Sequence, residues 1–272
     1  MAILLPVLVV SVIGLIVGIG LSVAADLLSV PVDEKCEEIQ AALPGVNCGA
    51  CGYSGCAGYA KALAGGETTD TGLCAPGGAQ AAKEIAALTG QTAADMIPVA
   101  AAVLCQGNQH NAEVKLEYQG VKSCKMANQL FGGPKECVHG CVGYGDCAAV
   151  CPYDAIQICD GIARINPILC RACEMCVKAC PKNIIAMLPL NVAKAAVLCI
   201  NSEKGAVVRK ECKTGCIGCM RCKKACEYDA VTVENFCAKV DYLKCIGCGK
   251  CHEVCPVKCI DIITLVKKEE AV

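Results

Sequence analysis

The chain has 272 residues and 28 of them are cysteine, about one in ten against the low single percentages of ordinary globular proteins. Two Phe, seven Tyr and no Trp leave the side chains that usually dominate a core nearly absent. With 25 Lys and Arg against 26 Asp and Glu, no GxGxxG after a strand and no Walker loop, the chain has no overall attraction for nucleic acid and no cradle for nucleotide phosphates.

From Ala2 to Ala25 no residue is charged, and Asp26 is the first charged side chain. At 1.5 Å per residue this run spans a hydrocarbon core of about 30 Å, which predicts a single transmembrane helix within residues 1–28. Val23-Ala24-Ala25 loosely resembles a signal cleavage site. However, no basic residue precedes the run, and it exceeds the apolar stretch of a signal peptide. All 25 Lys and Arg follow, beginning at Lys35, so the rest of the chain is expected on the cytoplasmic side of a prokaryotic membrane. Gly14 and Gly18 form a GxxxG pair that suits a close helix neighbour, or simply reflect the glycine content of such helices. A reducing compartment argues against disulfides and leaves metal as the use for the cysteines.

Residues 35–97 read as a small module with Cys48, Cys51, Cys56 and Cys74 as one 4Fe-4S site. Gly49, Ala50, Gly52 and Gly55 leave amides free to point at sulfur. A four-cysteine zinc site is the alternative for this segment taken alone. The following GAQAAKEIAALTGQTAADMIPVAAAV reads as Ala-rich helix with a break at Gly90 and a turn at Pro98. Residues 98–130 are then a connecting segment.

Two runs carry the bacterial ferredoxin pattern C-x2-C-x2-C-x3-C-P: Cys170, Cys173, Cys176, Cys180, Pro181, and Cys245, Cys248, Cys251, Cys255, Pro256. In such runs three cysteines hold one 4Fe-4S cluster and the fourth crosses to a second. The later run pairs with Cys216, Cys219, Cys222 and Cys226, where Glu227 replaces the proline. This predicts Cys216, Cys219, Cys222 and Cys255 on one cluster and Cys245, Cys248, Cys251 and Cys226 on the other, in a unit over 212–266. The earlier run pairs with the irregular Cys137, Cys141, Cys147 and Cys151, in a unit over 131–190. Overlaying the two units sets Tyr144 against Cys219 and Cys137 against Cys212. Cys137, Cys141, Cys147 and Cys180 are therefore expected on one cluster, and Cys170, Cys173, Cys176 and Cys151 on the other. Structural zinc would use separated cysteine pairs rather than such runs. GIARINP and VTVENFCAKVDY alternate as hairpin strands.

Eight cysteines remain outside these five sites. AAVLC occurs twice, ending at Cys105 and Cys199, and each copy precedes a further isolated cysteine, Cys124 and Cys212. The register is ambiguous, because Lys122-Ser123-Cys124-Lys125 matches Lys210-Glu211-Cys212-Lys213 about as well as the other overlay does. Two packed repeats would bring Cys105, Cys124, Cys199 and Cys212 together as a sixth 4Fe-4S site, with zinc or four separate thiols as the alternatives. Residues 191–211 form the repeat connector and 267–272 a tail. Cys36, Cys159, Cys237 and Cys259 are expected as buried free thiols, and His110, His139 and His252 as ordinary loop histidines. No general base, nucleophile or nucleotide loop accompanies the cysteines. Between Cys199 and Cys226 there are seven basic residues and two acidic ones, which suits an acidic donor protein or is simply a solvated face of an otherwise neutral chain.

One apolar anchor, then VNCGACGYSGCAGYAKAL closing with CAPGG, then ferredoxin pairs: this order resembles the B subunit of the Rnf complex over essentially the whole chain. The resemblance implies an α+β fold with a membrane helix, a single-cluster module and two two-cluster ferredoxin-like units. It also implies electron transport within an ion-translocating ferredoxin:NAD oxidoreductase, a translocase in which flavin, NAD and the ion belong to other subunits. Reduced ferredoxin would be the donor, the other Rnf subunits and the bilayer the partners, and this chain an electron carrier without catalytic residues of its own. The iron-sulfur subunit of another membrane enzyme, such as a hydrogenase or formate dehydrogenase, is the alternative.

Overall fold

The computed structural model describes residues 4–27 and 33–264. The expected tail and the first three residues of the expected anchor lie outside them. The first helix, α1 (Leu4–Leu27), has 24 residues, and its described apolar side chains from Val7 to Val23 are all exposed. Among the described residues no helix is long and apolar enough to cross a membrane. The described side chains of α1 run unbroken only from Val10 to Ala24.

Three helices build the next module: α2 (Glu34–Ala41), α3 (Cys56–Ala64) and α4 (Gly78–Thr89). Asp33 starts α2 by accepting a hydrogen bond from the Lys35 amide. Gly90, at φ 72°, ends α4 as the sequence predicts. Ile39, Leu43, Tyr59, Leu63 and Ile85 form the core between them. The Tyr59 hydroxyl donates to Asp70 O at 2.6 Å, tying the loop that leads to Cys74 onto α3.

The rest is a duplicated unit, each copy with two two-stranded sheets. The first copy contains β1 (Val99–Val103), α5 (Cys124–Asn128), α6 (Asp146–Ala149), β2 (Ile156–Cys159), β3 (Ile162–Ile165), α7 (Met175–Ala179) and β4 (Ile185–Pro189). The second contains β5 (Lys194–Val197), α8 (Gly205–Glu211), α9 (Arg221–Ala225), β6 (Val231–Glu234), β7 (Cys237–Val240), α10 (Lys250–Glu253) and β8 (Ile260–Ile263). In each copy the outer strands pair antiparallel, β1 with β4 and β5 with β8, and so do the inner ones, β2 with β3 and β6 with β7. The inner hairpins match the GIARINP and VTVENFCAKVDY expectations.

The outer strands differ from the sequence expectation. VAAAV is a strand, not the end of an Ala-rich helix, and it belongs to the first unit's sheet rather than to a connector. Alanine favours helix in isolation, but here tertiary contact overrides propensity. Ala100 and Ala102 pack on Leu188, Leu190, Ala196 and Leu198, where small side chains let the two units approach closely. The opposite face, Ala101 and Val103, lies in the first unit's own core.

Candidate iron-sulfur sites

The cysteine loops owe their shape to left-handed residues flanking the second cysteine of each run. Ala172 and Glu174 flank Cys173 at φ 54° and 59°, Gly218 and Met220 flank Cys219 at 65° and 60°, and Gly247 and Gly249 flank Cys248 at 75° and 83°. Gly143 and Gly145 flank Tyr144 in the same way, at 88° and 86°. Tyr144 therefore occupies a cysteine's place, as the overlay predicts. The loops also press on main chain: a side chain at Gly247 would lie 2.1 Å from Ala193 O.

Four small cavities are each lined by four of the proposed ligands. Three hold sets expected from spacing: Cys151, Cys170, Cys173 and Cys176; Cys216, Cys219, Cys222 and Cys255; Cys226, Cys245, Cys248 and Cys251. In the helical module Cys48, Cys51 and Cys56 surround Cys74, whose thiol is pushed up by burial and by these neighbours. Among the described residues no three His, Cys, Asp or Glu side chains are grouped so as to hold a metal ion.

The fourth cavity has a lining different from the set expected from the sequence. It is lined by Cys105, Cys137, Cys199 and Cys212, so Cys137 stands there where the sequence reading places Cys124. Cys124 instead lies beside Cys147, together with Cys141 and Cys180. Burial and these crowding thiols push Cys147 up to about 12. The physical cause is Asp146, which follows the Tyr144 loop. Its carboxylate accepts hydrogen bonds from the Cys124 amide (2.9 Å), the Lys125 amide (3.0 Å) and the Ser123 hydroxyl (2.9 Å), fixing the start of α5 next to Cys147. Cys137 follows the overlay on Cys212, and Cys105 matches Cys199. The Cys141 amide donates to Cys105 Sγ at 3.3 Å, and the equivalent Cys216 amide serves Cys199.

Donors surround the sulfurs, as thiolates sharing the charge of a cluster require. The Ala101 amide donates to Cys170 Sγ, its counterpart Ala195 to Cys245 Sγ, and Ala238 to Cys216 Sγ, each at 3.4 Å. Asn201, 1% exposed, directs its amide at Cys137 Sγ (3.4 Å) and Glu211 Oε2 (2.8 Å). Lys135 and Lys194 are buried, at 8% and 3% exposure, and donate only to main-chain carbonyls, with no carboxylate pairing them among the described residues. Buried cations need negative partners, and anionic clusters beside Cys245 and within the Lys135-lined cavity fit that need. Spacing alone does not single out Asn201, Lys135, Lys194 or Asp146. Only the repeated Lys-Glu-Cys before Cys137 and Cys212 marks Lys135 at all.

The leftover thiols divide. Cys237 and Cys259 are buried beside the second unit's sites, and Cys36 is half-buried against the helical core. Cys159 is exposed at a strand end, against the expectation that it is buried.

Duplicated hairpins carrying cysteine quartets, with a helical cysteine module before them, define an α+β iron-sulfur protein. The family described as "Putative Fe-S cluster" matches residues 43–76, and the "4Fe-4S binding domain" family matches 238–261. The B subunit of the Na(+)-translocating ferredoxin:NAD(+) oxidoreductase complex of Acetobacterium woodii is 45% identical over 95% of this chain and 78% of its own length. The corresponding B subunit of the ion-translocating oxidoreductase complex of Methanosarcina acetivorans is 35% identical over 92% and 94%. That of the proton-translocating ferredoxin:NAD(+) oxidoreductase complex of Clostridium ljungdahlii is 38% identical over 86% and 82%. The chain belongs to the B subunits of the Rnf, or ion-translocating oxidoreductase, complexes.

Proposed function

We propose that this chain is a membrane-anchored polyferredoxin subunit that takes electrons from reduced ferredoxin and delivers them to membrane partners of an ion-pumping ferredoxin:NAD oxidoreductase. Six quartets would hold its 4Fe-4S centres, with Cys105, Cys137, Cys199 and Cys212 joining the units and Cys124, Cys141, Cys147 and Cys180 next in line. Bound clusters supply one-electron redox change.

The observation that carries this reading is that the cysteine quartets of the two units differ in exposure. In the second unit Cys219 and Cys248 are exposed. In the first, the equivalent Cys173 is buried and faces Cys48, and the Lys178 ammonium donates to Cys48 O at 2.9 Å, holding the helical module on the first unit. Exposed thiols suit a donor's approach, and Lys204, Arg209, Lys210, Lys213, Arg221, Lys223 and Lys224 of the same unit are all exposed. Positive charge of this kind steers an acidic protein. The helical module, following α1 in sequence, suits exit toward the membrane. The uncharged run from Ala2 to Ala25 in the sequence, together with the exposed described apolar side chains of α1, supports the anchor. The relatives' names specify sodium in one and protons in another, so the likeness extends to ion coupling and not to one ion.

Anaerobically loaded chain is expected to bind about 24 iron atoms, four per centre, and to be reduced by ferredoxin at a rate that falls with salt. Lys210→Glu, Lys213→Glu and Lys224→Glu together should slow that reduction at least about tenfold at low salt. An unchanged rate and salt dependence would reject the docking site. NADH should form only with companion subunits present, and removal of residues 1–28 should release the chain from membranes. Failure of ferredoxin to reduce the iron-loaded chain would overturn the donor assignment.

A further inference from the structure

Where the helical module meets the first unit, the Tyr153 hydroxyl is buried and has no hydrogen-bond partner. A buried phenol without an acceptor is destabilising, and native structures rarely leave one. Tyr153 lines the cavity of Cys151, Cys170, Cys173 and Cys176, and it also faces Cys48 and Cys74 of the module held there by Lys178. The other charged group facing it is Arg171, whose guanidinium can only donate. Sulfur is therefore the acceptor chemistry available to this hydroxyl.

The duplication supplies an internal comparison. Tyr228 stands in the same place, since Cys151-Pro152-Tyr153-Asp154-Ala155 aligns with Cys226-Glu227-Tyr228-Asp229-Ala230, and Asp154 and Asp229 share φ 48°. Tyr228 is 47% exposed, so water can serve it. What distinguishes Tyr153 is the module packed over it.

We propose that Tyr153 donates its hydroxyl hydrogen bond to a sulfur of one of the two iron-sulfur centres it separates, and so raises that centre's potential at the junction between module and ferredoxin unit. This rests on the reading of the quartets as 4Fe-4S sites. A hydrogen bond to cluster sulfur stabilises the more negative, reduced state, so potential rises with donor strength. Tyr153 then acts as a tuning residue for transfer into the module.

The full chain, loaded anaerobically, is compared with Tyr153→Phe by EPR-monitored redox titration. Tyr153→Phe should keep the parent's iron content while one midpoint potential falls and one reduced centre loses the magnetic coupling of an exchangeable proton. Tyr228→Phe should change neither. Fluorotyrosine at 153, a stronger donor with the same ring, should move the same potential upward, and this arm stands even if Tyr153→Phe folds poorly. Unchanged potentials with fluorotyrosine, or with Tyr153→Phe at full iron content, would overturn the inference. Iron content reads the centres themselves, so a parent that binds no iron would reject the underlying assignment instead.

Discussion

Cys124 and Cys137 both stand outside any regular run, and each is a credible fourth ligand when only the sequence is considered. Asp146 decides between them by gathering the Ser123 hydroxyl and the Cys124 and Lys125 amides beside Cys147. Cys137 is left to the cavity of Cys105, Cys199 and Cys212, where Asn201 donates to its sulfur. Iron counts check this exchange. Cys105→Ala and Cys137→Ala should each release about four irons and the double variant no more, because both act at one centre. Cys124→Ala with Cys105→Ala should release about eight. A reversed pattern would restore the assignment drawn from spacing.

Among elements, the inner hairpins and the end of α4 were legible because alternation and a helix-ending glycine are local signals. The strand β1 was not, because five residues of Val and Ala carry no period that separates strand from helix, and pairing with β4 decides the matter. Helix α5 is equally dependent on tertiary contact. Its five residues are too few to be stable alone, and Asp146 holds their N-terminus. Asp146→Ala is expected to cost roughly 2 kcal/mol, the scale of hydrogen bonds to a charged group, measured as a lower Tm. Iron should then leave first from the centre that includes Cys124. Even release from all centres would count against this anchoring role.

At the scale of the molecule, each ferredoxin-like unit is held by two-stranded sheets, which are marginal in water without further support. Their cores are built partly from the ligand thiols: Cys216, Cys222, Cys245, Cys251 and Cys255 in one, Cys105, Cys141, Cys147 and Cys176 in the other. Metal binding and folding should therefore be linked here. Removing iron with an anaerobic chelator is expected to abolish cooperative unfolding of both units, while α2 to α4, packed on Ile39, Tyr59, Leu63 and Ile85, keep much of their helical circular dichroism. A stripped chain that melts as the loaded one does would show that the cores stand without their clusters.

The sequence by itself determined the iron-sulfur class, the duplication and which cysteines gather at three of the cavities, because cysteines two or three residues apart in one loop are held close together by the chain. It also set Tyr144 against Cys219 through the overlay of the two units, and the left-handed residues on both sides of Tyr144 match those of the other runs. Tertiary structure alone decided which solitary cysteines meet. Closing a longer loop adds little entropy cost, so sequence separation hardly distinguishes Cys124 from Cys137 as a partner. It also decided that one cysteine corner, Cys173, is covered by the helical module while Cys219 and Cys248 stay exposed, since that difference arises from packing between modules and leaves no mark in the spacing.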